Sequence, residues 1–155
     1  MDRVPMTPEG HQALKDELAR LKAEMPKISQ EIGVAREHGD LKENAEYHAA
    51  KEKQGLVHAR ISEIEDKLAR AEVIDTSKLS GERVKFGAYV ELESFEGEVV
   101  KYRIVGQEEA DVNNGTISVT SPVAKALIGR EVGDEVKVKT PGGLREYEIV
   151  DVSWE

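Results

Sequence analysis

Two acidic residues, Asp40 and Glu43, stand three positions apart between two segments with an apolar pattern. At the start of a helix, this spacing would put both side chains on one side, with about 5–6 Å between their Cβ atoms. Carboxylate oxygens suit Mg²⁺, which requires near-octahedral oxygen coordination. Two carboxylates cannot supply that shell, so the pair could hold a divalent metal only where another molecule completes it.

The same two residues also fit a structural role. Asp-x-x-Glu at a helix start is a capping box, in which Asp40 would accept a hydrogen bond from a free amide and Glu43 would reach back. The two roles are compatible, because a cap uses only part of a carboxylate's acceptor capacity. The sequence leaves both interpretations open.

Basic residues flank the acidic pair on both sides. Arg36 and Lys51 are candidates for holding a phosphate backbone next to the carboxylates, and Lys42 and Lys53 lie close to them in sequence. The alternative is that these side chains are solvated ion-pair partners of neighbouring glutamates, which would contribute little to stability.

Familiar catalytic patterns are missing from the sequence. The chain has no cysteine, which excludes disulfides, thiol nucleophiles and thiolate metal sites. It has no phosphate-cradling glycine loop and no nucleophile elbow. His38 and His48 flank the acidic pair and could contact a phosphate or a water, but no two histidines have the spacing of a helical zinc pair. These residues therefore indicate no ordinary active site.

One series of apolar residues precedes the acidic pair and another follows it, and within each series the apolar residues are three or four positions apart. This spacing predicts two long helices, each with an apolar stripe. Thr7-Pro8 has the N-cap and first helical residue of a helix start, and Gly39 suits the left-handed residue that ends a helix. Pro26 lies inside the first stripe and predicts a kink. The short connection predicts an antiparallel hairpin with arms of about 45 Å. The stripes comprise Leu14, Leu18, Leu21, Met25, Ile28, Ile32 and Ala35, and then Tyr47, Ala50, Gln54, Val57, Ile61, Ile64, Leu68 and Ala71.

The second half of the chain has the pattern of a small antiparallel sheet domain with one short helix. Ser121-Pro122 predicts the start of that helix, and Gly129 its end. The fold class is therefore α+β. The predicted domains are a coiled-coil hairpin over 1–75 with its tip near 37–44, a linker over 76–81 and a globular domain over 82–155. The predicted strands are Val84–Glu93, Val99–Val105, Thr116–Thr120, Glu135–Lys139 and Glu146–Val152.

Charge and hydropathy restrict the possible partners. With 22 basic and 31 acidic residues, the formal net charge is −9. Such a chain does not bind nucleic acid strongly by itself, because affinity for phosphate depends on basic side chains. No stretch approaches the ~20 apolar residues of a membrane span, and no apolar run of a signal peptide follows Met1–Pro5. We expect a cytoplasmic protein without membrane contact.

The run from Ala35 to Glu52 resembles the tip of the Gre transcript cleavage (elongation) factors. The segments Pro5–Gly10, Tyr102–Gly106, Ile117–Gly129 and Lys139–Gly143 are similar to the same family. The resemblance covers essentially the whole chain in order, and it is closest to the GreA subfamily.

The resemblance implies a bacterial transcription elongation factor whose FKBP-like C-terminal domain binds RNA polymerase. The hairpin would enter the secondary channel of the polymerase. Asp40 and Glu43 would help to hold the second Mg²⁺, shared with the polymerase and not stably bound to the free protein. They would also position a water, so that the polymerase cuts backtracked RNA and arrested complexes are rescued.

The resemblance also implies roles for other residues. Arg36 and Lys51 would contact the nascent RNA 3′ end, although arginine also occurs in the family at the position of Lys51, and lysine lacks the bidentate geometry of arginine. Ser121 and Pro122 would belong to the polymerase-binding surface, and both also suit the start of the short helix.

Three other functions remain open from the sequence. A Gre-like paralogue could occupy the channel and inhibit transcription without stimulating cleavage. An FKBP-like domain could be a prolyl isomerase or chaperone, although a fold does not carry an activity and aromatic residues are few. The hairpin could also be a structural adaptor in which Asp40 and Glu43 only cap a helix.

Overall fold

The chain folds into two units. The structure, a computed structural model, describes residues 2–37, 39, 44–140 and 142–154. The first unit comprises Met1–Asp2 and His11–Ala71, and the second comprises Arg3–Gly10 and Glu72–Glu155. Residues Arg3–Gly10 therefore group with the second unit, and Met1–Asp2 with the first.

Two long helices form the first unit. Helix α1 spans Pro8–Arg36, with its first turn in the second unit, and helix α2 spans Ala45–Arg70. Arg60 of α2 hydrogen-bonds Glu17 near the start of α1, and Asn44 hydrogen-bonds Ala35 near its end. These contacts show that the helices run antiparallel, as the two stripes predict.

The predicted apolar stripes line the seam between the helices. In α1, Pro26 lies inside a helix that continues past it, as expected from the uninterrupted stripe. No stripe residue is exposed. The buried members are Leu14, Leu21, Ile28, Ile32, Ala35, Ala50, Ile61 and Ile64, and the others are half-buried.

One ion pair crosses the seam in bidentate geometry. The Nε–H and Nη2–H groups of Arg60 donate to the two carboxylate oxygens of Glu17, each at 2.9 Å. Both side chains are less than a third exposed. The hydrogen bonds from Arg60 lower the pKa of Glu17 below its ordinary value of 4.5, and partial burial opposes that shift.

The strands of the described residues form two sheets. A two-stranded sheet pairs β1, Val4–Met6, with β2, Ala71–Val73. A five-stranded sheet has the order β5-β4-β3-β7-β6. Its strands are β3 Tyr89–Ser94, β4 Val99–Val105, β5 Thr116–Ser118, β6 Glu135–Thr140 and β7 Gly143–Ser153.

The short helix α3, Pro122–Leu127, packs against the five-stranded sheet. Its Ala124 and Leu127 belong to the core and have no exposed surface. The sheet contributes the core residues Val90, Leu92, Ile104 and Ile149, which are equally buried. The helix, its N-cap residue Ser121 and the glycine after its end all agree with the prediction for this segment. Gly129 has a φ of 88°, in the left-handed region.

Several details of the second half of the chain differ from the prediction. β5 ends at Ser118 and not at Thr120, and β7 spans Gly143–Ser153 and not Glu146–Val152. β5 pairs with β4 in parallel, so the sheet is mixed and not wholly antiparallel. The segment that joins the two strands contains a 3₁₀ turn at Val112–Asn114, and the chain then re-enters the sheet in the direction of β4. The predicted linker also includes a 3₁₀ turn, Thr76–Lys78, in which Thr76 is buried.

Another difference concerns the start of β3. The strand begins at Tyr89 and not at Val84, because Gly87 has a φ of 88° and the N–H of Ala88 donates to the carbonyl of Lys85 in a turn. Val84 and Ala88 are nevertheless fully buried, as the predicted alternation requires.

No helix in the described ranges is long and apolar enough to cross a membrane.

The bidentate pair predicts a pH-dependent contribution to hairpin stability. Because folding lowers the pKa of Glu17, its ionised form stabilises the folded state above the unfolded pKa, and that contribution disappears as the pH falls through the folded pKa. We expect Glu17→Gln to lower the free energy of unfolding by up to about 1 kcal/mol at pH 7 and to have a smaller effect at pH 3, where more of the carboxylate is protonated. Urea unfolding followed by circular dichroism measures both values.

A matched control is Glu65→Gln, which breaks a 3.6 Å ion pair with Lys22 whose side chains are more than half exposed. This change should have little effect at either pH. An equal loss at pH 7 and pH 3 for Glu17→Gln would contradict an electrostatic origin.

Two glycines in the left-handed region allow the cost of backbone strain to be distinguished from the cost of steric overlap. Gly97 has a φ of 90° and open space around it, whereas a Cβ on Gly87 would overlap the side chain of Thr76. Gly97→Ala should cost about 1–2 kcal/mol from strain alone. Gly87→Ala should lower the stability more, because its methyl group also meets Thr76. Equal losses of stability for the two variants, measured by thermal unfolding, would show that the Thr76 side chain moves aside at no cost.

Candidate functional site at the hairpin tip

One side chain, Asn44, binds both helices where the hairpin reverses. Its backbone is extended, with φ −85° and ψ 96°, and α2 begins at the next residue. Its Oδ1 accepts from the N–H of Tyr47 at 3.0 Å, and its Nδ2 donates to the carbonyl of Ala35 at 2.6 Å. Asn44 thus caps the start of α2 and satisfies a carbonyl in the last turn of α1.

The predicted metal ligands Asp40 and Glu43 lie outside the described residues, as do His38 and Lys42. The cap of α2 nevertheless corrects the capping-box hypothesis, because the N-cap is Asn44 and not Asp40. Both acidic residues precede this cap in the sequence.

The end of α1 agrees with the predicted reversal. The N–H of Glu37 donates to the carbonyl of Val34 at 3.1 Å, and α1 ends at Arg36. Gly39 has a φ of 110°, in the left-handed region expected for it.

The basic candidates Arg36 and Lys51 are both exposed. The guanidinium carbon of Arg36 lies 5.9 Å from the centroid of the Tyr47 ring, within the range of a cation–π contact. Lys51 follows Tyr47 by four residues on α2, and such residues are neighbours on a helix surface. The ring of Tyr47 also meets that of His48 edge-on, with the centroids 5.6 Å apart.

The described residues hold no complete metal site. No group of three or more histidine, cysteine, aspartate or glutamate side chains in the described part of the chain could hold a metal ion. The donor chemistry of Asp40 and Glu43 fits Mg²⁺, which prefers carboxylate oxygens, but two such residues leave most of its coordination positions to other donors.

Ser121 and Pro122 lie at the start of α3. The Oγ of Ser121 accepts from the N–H of Ala124 at 3.2 Å, which is the predicted capping bond. Pro122 occupies the first turn and is exposed. The cap leaves the hydroxyl hydrogen of Ser121 free to donate to a partner.

Sequence reasoning missed two residues of this site, Asn44 as the cap and Tyr47 as the ring beside Arg36. A local signal was present for the first, because asparagine is among the strongest N-cap residues and directly precedes the first residue of the helix. The contact between Arg36 and Tyr47 joins two helices, so it has no signal in local spacing.

Comparison with known proteins gives one consistent family. The family model "Transcription elongation factor, N-terminal" matches residues 4–73, and "Transcription elongation factor, GreA/GreB, C-term" matches residues 79–154. The chain is 60% identical over 156 residues to transcription elongation factor GreA of Phenylobacterium zucineum, covering 99% of each chain. It is 58% identical over 157 residues to transcription elongation factor GreA of Beijerinckia indica, and the match covers 100% of each chain.

Among solved structures, the chain is similar to GreA factor homolog 1 (Gfh1) of Thermus thermophilus. The two are 32% identical, the match covers 97% of this chain and 99% of that chain, and the TM-score is 0.45.

The two bonds of Asn44 predict separable effects of substitution. Asn44→Ala removes both bonds and should destabilise the hairpin by about 1 kcal/mol or more. Asn44→Asp keeps an acceptor for the Tyr47 amide but loses the donor to Ala35. We therefore expect Asp at this position to preserve hydrogen-exchange protection of the Tyr47 amide, and Ala to abolish it. Equal protection in both variants would contradict the capping role.

Proposed function

We infer the function from the family: the chain belongs to the GreA/GreB transcription elongation factors. We propose that it binds bacterial RNA polymerase, inserts the α1–α2 hairpin into the secondary channel and stimulates the polymerase's own cleavage of backtracked RNA. The protein has no catalytic activity by itself in this proposal, because the reacting centre belongs to the polymerase. Its effect is to rescue arrested complexes.

The observation that carries the proposal is the cap of α2. Since Asn44 begins this helix, the oxygens of Asp40 and Glu43 are not required for it. Both carboxylates can then contribute ligands to the second Mg²⁺ and accept a hydrogen bond from the attacking water. When bound, that Mg²⁺ supplies Lewis-acid stabilisation in a two-metal displacement.

The length of the helices supports delivery of the tip to a recessed centre. α1 has 29 residues and α2 has 26. At ~1.5 Å per residue, they extend over about 43 and 39 Å. A hairpin of two helices is also thin, because helices with their side chains are about 10–12 Å across.

The basic residues support a local contact with RNA. Arg36 lies against the ring of Tyr47, which limits the freedom of its guanidinium. A guanidinium ordered in this way can form a bidentate contact with a phosphate of the RNA 3′ end, and Lys51 would add a point charge. The net charge of −9 opposes strong independent binding of nucleic acid, so the polymerase must bring the RNA to these residues.

The exposed start of α3 supports a docking role for the second unit. We propose that Ser121 and Pro122 contact the polymerase. Pro122 offers an exposed apolar ring, and the capping bond fixes the position of the Ser121 hydroxyl.

Replacing both tip carboxylates tests the proposal. Asp40→Asn with Glu43→Gln keeps the size of each side chain and removes both charges. The rate of RNA shortening in stalled, backtracked complexes should fall by at least roughly 10–100-fold, because ligands to the shared Mg²⁺ are lost. Binding to the polymerase, measured by competition with labelled wild-type protein, should not change.

The control is Glu31→Gln with Glu52→Gln, which removes the same charge from two exposed positions on the hairpin. It should leave both cleavage and binding intact. Cleavage that survives in the tip variant would refute the assignment of Asp40 and Glu43. A wild-type protein that binds the polymerase but releases no shortened RNA would instead identify an inhibitory paralogue.

A further inference from the structure

Two basic side chains of β4 approach the same aromatic ring of β3. The Nζ of Lys101 lies 5.6 Å from the centroid of the Tyr89 ring, and the guanidinium carbon of Arg103 lies 5.0 Å from it. Both distances are within the range of a cation–π contact. Tyr89 is the direct cross-strand partner of Arg103, and all three residues belong to the second unit. We call these three residues the Tyr89 cluster.

The Tyr89 cluster lies on the outer face of the five-stranded sheet. Val90 and Ile104, which adjoin Tyr89 and Arg103 in sequence, are fully buried in the core. Successive side chains of a strand point to opposite faces, so the three cluster residues project away from that core. Lys101 is exposed, and the other two members are half-buried. A small molecule in solution can therefore reach the cluster.

The guanidinium of Arg103 is held at two of its three nitrogens. Its Nε–H donates to the carbonyl of Gly87 at 3.3 Å, and its Nη2–H donates to the hydroxyl oxygen of Thr76 at 3.4 Å. Within the described part of the chain, Nη1 of Arg103 has no hydrogen-bond partner. Because the guanidinium is already ordered, a ligand that binds to Nη1 costs less side-chain entropy than one that binds to a free arginine.

The two cations of the cluster have no counter-charge at ion-pair distance. Among the residues that the structure describes, no carboxylate forms an ion pair with Lys101 or Arg103. Glu91 is the cross-strand partner of Lys101, and Asp151 is the partner of Glu91 on β7. A long polyanion laid across this face would meet these carboxylates, and the formal net charge of −9 would repel it further. The arrangement therefore favours a compact anion over a nucleic-acid strand or an acidic protein segment.

We propose that the Tyr89 cluster binds the phosphate monoester of a small molecule, such as a nucleotide or a sugar phosphate. Such a group carries close to two negative charges at neutral pH and has three strong acceptor oxygens, so it matches two cations, whereas a carboxylate has a single charge. Nη1 of Arg103 supplies two N–H donors, and Lys101 supplies a mobile ammonium group. This inference goes beyond the proposed function and does not depend on it.

The first test uses the full chain and three probes. Inorganic phosphate, adenosine monophosphate and adenosine are titrated into isotope-labelled protein, and the backbone amide signals of the Tyr89 cluster are followed by NMR. Both phosphate compounds should shift these signals in a saturable way, with half-saturation at about 1 mM or below. Adenosine, which has no phosphate, should not shift them. Tighter binding of adenosine monophosphate than of inorganic phosphate would support a nucleotide as the ligand, and equal binding would support recognition of the phosphate alone.

Variants distinguish this site from general attraction to basic side chains. Lys101→Gln removes the exposed cation and leaves the bonds of Arg103 intact, so the affinity for phosphate should fall by about tenfold, as expected for the loss of a charged hydrogen bond. Arg103→Lys keeps the charge but loses the planar fork, and it should weaken binding as well. The matched control is Lys139→Gln, which removes one charge from an exposed position of β6 and should leave the affinity unchanged.

Three results would overturn the inference. The first is an absence of saturation by both phosphate compounds up to about 10 mM. The second is an equal affinity for phosphate in wild type and Lys101→Gln, a comparison that stays valid if Arg103→Lys fails to fold. The third is tighter binding of a short single-stranded RNA without terminal phosphates, or of an acidic peptide, than of adenosine monophosphate, because the ligand would then be a macromolecule.

Discussion

Asn44 bonds α1 and α2 at the same time, and the interpretation of the hairpin tip depends on this interaction. A helix start leaves several amides without partners, and a helix end leaves several carbonyls. Asn44 has a donor and an acceptor on one short side chain, and it satisfies one group of each kind. This amide caps α2, and in the proposed function the acidic residues before it serve another molecule.

The rest of the first unit shows why such bonds are needed. Two helices bury apolar side chains along a single seam, and even there members such as Leu18 and Gln54 are only half-buried. Apolar burial alone therefore leaves the pair weakly held, and polar contacts have to add to it. The bidentate bond of Arg60 to Glu17 acts toward one end of the seam, and Asn44 acts at the other.

Much of this fold follows from local patterns. The two long helices were predictable because their stripes keep one period over many turns, and α3 because Ser121-Pro122 and Gly129 mark its two ends. The bounds of β4 agree with the prediction, since Val99–Val105 lies between clear turn residues. The parallel pairing of β5 was not predictable in this way, because strand direction is set by the path of the chain between the strands.

The candidate site was predictable only in part, for related reasons. Asp40 and Asn44 are both good N-cap residues a few positions apart, and only the dihedral angles show which one begins α2. The bond between Glu109 and Thr7 joins residues 102 positions apart, so no spacing rule indicates it. Local sequence thus predicts candidate residues at the tip but not the contacts that hold its flanks.

The most direct test of the account is the Mg²⁺ dependence of RNA cleavage in backtracked polymerase complexes, titrated with and without the protein. If Asp40 and Glu43 add ligands to a shared ion, the protein should lower the Mg²⁺ concentration for half-maximal cleavage by roughly tenfold or more. An unchanged Mg²⁺ dependence, with only a higher rate at every concentration, would contradict it.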